Sequence, residues 1–374
     1  MSRGRTWEQL PNLVAADGGW RDREPPRLCA LVASSVCLPS YIPGGSMIHR
    51  ILIGTVSYLA IGLAVPLGAQ DSAAWRDSSP HRAQFVTVDE NVRLEVLDWG
   101  GSGRAVVLLA GLGNTAHVFD HFAPKLAPDY HVYGVTRRGY GASSASASGY
   151  EADRLGDDVR AVLDALNLRR PVLVGNSIAG QELSSVATRY RDRLGGVVYL
   201  DAAYQYAFDG GLEQRPVPPQ QPPQPSDADG ASFSALRSWF ERVLGIAIPE
   251  AELRQIQESS PDGRVGNSRT PQTIAQAIVT GGQSYKDIRV PTLAIYAIPS
   301  DQGPWVNAAE PAERAAIVTF TASLAAWQER MAKAFEKGVP GARVVRLPGA
   351  NHYVFLSHEA DVLREMRGFL IRAH

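Results

Sequence analysis

The chain has 374 residues, 45% of them hydrophobic, enough to bury a full core and more than the roughly 100–200 residues of a typical domain. A formal net charge of −1, with only 20% charged residues and no run of like charge, excludes the positive field that gathers nucleic acid. The expected ligand is a small, neutral or weakly charged molecule.

Residues 1–46 show no periodicity and many breakers, and read as a non-native or disordered N-terminal extension. At Met47 the pattern changes. His49 and Arg50 form a basic flank, Ile51 to Leu67 is almost wholly apolar, and Leu67-Gly68-Ala69 ends in a small residue. That is the layout of a signal peptide over 47–69, with Met47 as the expected start. If the apolar run is retained, it is just long enough to span a bilayer core and would anchor the chain. Either way the remainder is expected outside the cytoplasm, periplasmic, secreted or anchored, with membrane contact only through residues 51–69. Cys29 and Cys37 both precede Met47, so the remainder has no cysteine nucleophile and no cysteine-ligated metal.

From residue 83 onward, short apolar runs alternate with amphipathic stretches, the rhythm of a sheet flanked by helices. Phe85–Val88 and Val92–Trp99 open as an antiparallel hairpin. Buried strands are expected at Ala105–Ala110, His131–Val135, Val172–Val174, Val197–Leu200, Leu293–Tyr296 and Val344–Leu347. Val159, Val162, Leu163 and Leu166 form a helical stripe over Leu155–Leu166. The rhythm breaks over 202–289, where the Pro/Gln-rich tract Arg215 to Pro225 precedes helical patterns near Phe233–Leu244, Pro249–Gln257 and Pro271–Val279. This segment reads as an inserted helical lid on a doubly wound α/β core of residues 83–201 and 290–374, with the proline tract as an exposed connector.

After the strand ending at Val174 comes Gly175-Asn176-Ser177-Ile178-Ala179-Gly180, then a helix to about Arg189. A serine at the apex of such a strand–turn–helix needs small neighbours two positions to either side, because the strained backbone crowds strand against helix. Gly175 and Ala179 supply them. The helix start aims free backbone amides toward the serine, so the Ile178 amide is placed to donate to a developing oxyanion.

Together with Leu108-Leu109-Ala110-Gly111-Leu112-Gly113, with Thr136-Arg137-Arg138-Gly139-Tyr140-Gly141-Ala142-Ser143 and with Pro348-Gly349-Ala350-Asn351-His352, this elbow resembles the α/β-hydrolase superfamily, in the branch of serine esterases and cofactor-free haloperoxidase-like enzymes. The resemblance covers roughly residues 83–372. It implies a mostly parallel eight-stranded sheet, Ser177 as nucleophile, and Leu112 as the second oxyanion donor beside Ile178. Ala110 stands where the family usually carries histidine, which removes side-chain support from that turn, and Asn176 replaces the frequent histidine before the nucleophile. A serine in place of aspartate disfavours epoxide hydrolysis and haloalkane dehalogenation. Arg137 and Arg138 are expected to fix their turn rather than to bind an anion.

A serine hydroxyl needs a base that titrates near neutrality, which singles out histidine. His352, in a Gly-x-Asn-His loop before the terminal helix, occupies the family's place for it. Two aspartates compete for the third position. Asp301, a few residues past the Leu293–Tyr296 strand, is preferred as the commoner arrangement, and Asp201, ending the preceding strand, is the alternative. His117 and His121 have a spacing that can bind zinc, but the glutamate of H-E-x-x-H is missing and no third ligand is indicated, so a packed helix is expected and no metal. The expected activity is cofactor-free acyl transfer to water from a small carboxylic ester. The alternatives are haloperoxidase-like perhydrolysis or carbon–carbon bond hydrolysis on the same residues, or an inactive binding protein.

Overall fold

A computed structural model of the chain describes residues 75–211 and 214–372. The expected extension over 1–46, the signal-like segment over 47–69 and both cysteines lie outside the described residues. Among the described residues, no helix is long and apolar enough to cross a membrane.

Strands β1 (Arg82–Asp89) and β2 (Val92–Gly100) pair antiparallel about a tight turn in which Asn91 takes a left-handed φ of 59°. Strands β3 (Ala105–Leu109) and β4 (His131–Val135) follow. Helix α1 (Ala152–Ala165) leads into β5 (Val172–Asn176), and α2 (Ala179–Arg189) into β6 (Gly196–Leu200). These central strands are branched-apolar and almost fully buried, as parallel strands covered on both faces must be. Beyond β6 the chain carries α3 (Phe233–Leu244), α4 (Glu250–Ile256), a small hairpin of β7 (Gln257–Ser259) and β8 (Val265–Ser268), and α5 (Gln272–Thr280). It then returns to the sheet as β9 (Thr292–Tyr296). After α6 (Trp305–Ala308) and α7 (Pro311–Gly338) come β10 (Arg343–Arg346), α8 (Val354–Ser357) and α9 (Glu359–Leu370).

The large sheet has eight strands in the order β1-β2-β4-β3-β5-β6-β9-β10, antiparallel at β1-β2 and β2-β4 and parallel elsewhere. On one face it packs α1, α2 and α7, through residues such as Val162, Leu183 and Phe335. The other face packs the turn at Phe119, α3 through Trp239 and Phe240, and α9 through Met366. The expected doubly wound α/β-hydrolase fold is present.

Helix α7 is the largest element that the sequence pattern was not used to place. Its buried Ile317, Phe320, Leu324, Trp327, Met331 and Phe335 recur every three or four residues and lay one face onto the sheet. The turns leaving β3, β5 and β6, and the loop after β10, all emerge at the carboxyl edge of the parallel strands, where such sheets place their ligands.

Candidate active site

Ser177 sits between β5 and α2 with φ of 54°, a left-handed conformation that costs a serine energy and persists because the surroundings hold it. A Cβ on Gly175 would stand 3.0 Å from Ala179 Cβ and from Leu183, and one on Gly180 would strike the Ala202 carbonyl at 2.1 Å. Small residues at 175 and 180 therefore let the strand, the helix and the end of β6 close on one another. Ile178 precedes the first turn of α2, where a helix leaves its N–H groups without intrahelical partners.

The facing turn is held from below. Arg137, buried at the end of β4, donates through Nη2 to the Ala110 carbonyl at 2.8 Å and through Nη1 to the Gly111 carbonyl at 3.2 Å. It also grips Glu182 of α2, with Nη2 to Oε2 at 3.0 Å. In a planar trans peptide the C=O and N–H point opposite ways, so pinning the Gly111 carbonyl sets the direction of the Leu112 amide. This is the side-chain support that Ala110 cannot give. A Cβ on Gly111 would lie 3.2 Å from Ser177 Cβ, which explains the glycine. Arg138 grips Asp158 through Nε and Nη2 at 2.6 and 2.7 Å, so both arginines are committed within the fold.

His352 Nδ1 stands 2.6 Å from Oδ2 of Asp201, not of Asp301. The preferred placement of Asp301 is thus corrected by the geometry. The exposed Asp301 carboxylate accepts from the Gly303 amide at 2.9 Å and shapes its own loop. Asp201, 2% exposed, is fixed from several sides: Oδ1 accepts from the Ala297 amide at 3.0 Å and from the Tyr204 hydroxyl at 2.5 Å. Its φ of 47° turns the carboxylate off the end of β6. An ionised carboxylate accepts the Nδ1 proton, leaving Nε2 as the basic atom, and Nε2 is buried without a hydrogen bond to any described residue. Asn176 locks this loop to the elbow, since its Nδ2 donates to the carbonyls of Leu200 at 2.9 Å and His352 at 3.2 Å.

Two residues escaped the sequence reading. Burial together with the charge of Asp201 pushes the Tyr206 hydroxyl, near Ser177, far above the ordinary range, so it stays protonated. Arg215, in the irregular tract after β6, lines the same cavity as Asp201, Asn351 and His352. Neither lies in a periodic segment or a recognisable motif. The wall opposite is apolar, from Trp239, Trp305, Phe320 and Leu324, and the proline tract closes one side.

His117 and His121 do not come together. His117 instead joins Asp77, His81 and Asp120, whose ligand atoms lie within 4.8 Å of one another. These side chains bond mutually: Asp120 accepts from Ser79 Oγ at 2.7 Å and lies 2.9 Å from His81 Nδ1 and 3.2 Å from His117 Nδ1. The cluster ties the segment before β1 to the core.

The sheet order, the serine on a strained strand–helix turn and the imidazole–carboxylate pair at neighbouring strand ends define an α/β-hydrolase. The model of the alpha/beta hydrolase family matches residues 106–365, and the chain belongs to that family of enzymes. It is similar to a 2-(acetamidomethylene)succinate hydrolase of Mesorhizobium japonicum, 29% identical over 101 residues, 27% of this chain and 36% of that protein. A non-heme haloperoxidase of Rhodococcus erythropolis is 26% identical over 257 residues, 61% of this chain and 86% of its own length. The solved structure of E-2-(acetamidomethylene)succinate hydrolase shares the fold, with a TM-score of 0.53 at 19% identity, covering 78% of this chain and 99% of that one. The chain spans little more than a third of the first curated relatives it matches, 36% and 39% of their lengths.

Proposed function

We propose that the protein is a serine hydrolase acting on a small carboxylic ester or related acyl compound. Ser177 Oγ attacks the carbonyl carbon while His352 Nε2 takes its proton, and Asp201 holds the imidazole in the required tautomer and stabilises the imidazolium. The Leu112 and Ile178 amides receive the oxyanion. On collapse, the imidazolium protonates the leaving alcohol. Water, deprotonated by His352, then releases the acid and restores Ser177. The observation that carries this reading is the Asp201–His352 contact of 2.6 Å with Nε2 left unengaged. His352 Nε2 makes no hydrogen bond to Ser177 in this structure, so the serine hydroxyl must turn toward the imidazole before attack. The segment 202–289 would serve as the lid that selects substrate. Export of the catalytic part remains our reading of the basic flank and apolar run at 47–69.

Similarity to a haloperoxidase over 86% of its length favours a second reading, perhydrolysis, in which hydrogen peroxide replaces water in deacylation. Fluorophosphonate labelling tests the first step, and p-nitrophenyl acetate turnover with and without peroxide tests the second. Both signals should vanish in Ser177→Ala and fall by several orders of magnitude in His352→Ala. A folded protein that neither labels nor turns over would point to a binding role.

A further inference from the structure

Three residues that line one cavity each hold a buried polar atom with no hydrogen bond to a described residue: His352 at Nε2, Gln328 at Oε1 and Arg215 at Nε. The first is the base of the proposed reaction, and the other two have no part in it. Gln328, on α7, is 3% exposed, and its Nε2 donates to the Tyr204 hydroxyl at 3.1 Å, which fixes the amide with Oε1 as the unengaged end. The Arg215 guanidinium lies 5.9 Å from the ring centre of Trp327, which stacks at 5.2 Å on Tyr204, the residue that Gln328 bonds, and both Arg215 and Gln328 line the cavity. Its charge also reaches Tyr206.

The carboxylates that share the cavity are already engaged, Asp201 with His352, Tyr204 and the Ala297 amide, and Asp301 with the Gly303 amide. A buried polar group without a partner costs roughly 1–3 kcal/mol, more when charged. A cation between apolar walls such as Trp239, Trp305 and Phe320 gains most from an anionic ligand that can accept in a planar fork.

We propose that Arg215 and Gln328 form a subsite for a carboxylate-bearing acyl substrate, the carboxylate accepting from Arg215 and an adjacent N–H or O–H donating to Gln328 Oε1. The turnover consequence rests on the serine hydrolase reading, whereas anion binding by the subsite does not. The test uses the full chain with mono-p-nitrophenyl glutarate and p-nitrophenyl valerate, compared by kcat/KM. The carboxylate ester should be preferred roughly 10- to 100-fold, the range expected of a charged hydrogen bond. Arg215→Gln should bring the ratio near one, Arg215→Lys should keep part of it, and Arg215→Glu should drive it below one, each with wild-type circular dichroism. A ratio near one in the unaltered protein, or one unmoved in folded Arg215→Gln, overturns the proposal. Should neither ester turn over, calorimetric titration of Ser177→Ala with glutarate decides. Binding that Arg215→Gln abolishes in that background upholds the subsite while the serine mechanism falls, and absence of binding overturns the subsite itself.

Discussion

A carboxylate orients an imidazole only when its own position is overdetermined, and Asp201 meets that condition where Asp301 does not. Buried at the end of β6, Asp201 has one oxygen held by a backbone amide and a phenol and the other left for His352. Asp301 is exposed and spends its carboxylate on a turn. Asp201→Asn should therefore lower kcat on a p-nitrophenyl ester by about 10³–10⁴-fold, because the Ala297 amide and Tyr204 hydroxyl keep the amide oxygen and leave its NH2 to donate to Nδ1, forcing the wrong tautomer, while Asp301→Asn stays within about twofold. Equal losses in the two variants, with folding confirmed by thermal melts, would contradict this assignment. That Ser177 stands on the turn between β5 and α2, facing the Gly111 turn, with His352 on the loop after β10, was legible because each lies in a local motif whose geometry the backbone dictates. The choice between the aspartates was not, since it depends on how β6 and β9 abut, a relation that sequence spacing does not encode. Tyr206 and Arg215 were invisible for the related reason that irregular chain carries no periodicity to read.

At the scale of elements, the loop after the Gly111-Leu112-Gly113 turn is clamped by a helix from the segment between β6 and β9. Glu252 of α4 is fully buried and accepts from the Asn114 side chain at 2.9 Å, from the Thr115 amide at 3.0 Å and from the Thr115 hydroxyl. Asn114 in turn accepts from Tyr353 Oη at 2.9 Å, beside His352. Burial pushes the Glu252 carboxyl up to about 7, against the opposing pull of the Thr115 and Asn114 hydrogen bonds and the His117 charge. The folded state therefore keeps a proton that the unfolded chain has lost, so the contribution of this group to stability falls as pH rises from about 4.5 to about 7 and stays low above that. Glu252→Gln cannot ionise and lacks that slope. Its Tm relative to wild type should climb through this window by several degrees, for a coupling on the order of 2–3 kcal/mol, and then level off. A difference that is flat with pH would show that Glu252 is ionised in the fold. The helices α3 to α5 were foreseeable from apolar spacing and from the prolines at 249 and 271, whereas the clamp was not, because an acid in a helical pattern reads as a solvated face.

For the whole molecule, the sheet was legible in sequence because its inner strands are short, branched and apolar, and the order of motifs fixed how they wind. Helix α7 carries an equally regular apolar stripe at Ile317, Phe320, Leu324, Trp327, Met331 and Phe335. What the sequence did not reveal is how the segment ahead of β1 is fastened. Burial lowers the basicity of His117, yet hydrogen bonds and charge from Asp120 and Glu95 outweigh it and push the imidazole up to about 10. Burial opposes ionisation of Asp120, but its bonds to His117, His81 and Ser79 prevail and bring it down to about 2. The raised imidazole contributes stability that is complete below about 6.5 and is lost as pH climbs through about 10. The depressed carboxyl contributes stability that is complete above about 3.8 and is lost as pH falls toward about 2. Asp120→Asn keeps the shape and one acceptor oxygen for Ser79 and His81 but removes the charge and the oxygen that faces His117 Nδ1, and should cost about 3–5 kcal/mol, as breaking a buried pair does. Denaturant melts across pH should show that deficit on a plateau from about pH 4 to 6.5, shrinking toward both pH 2 and pH 10, since only there does wild type lose the charge pair that the variant lacks. A deficit that is constant to pH 10 would mean that the segment is held by packing against Trp99 rather than by the ion pair.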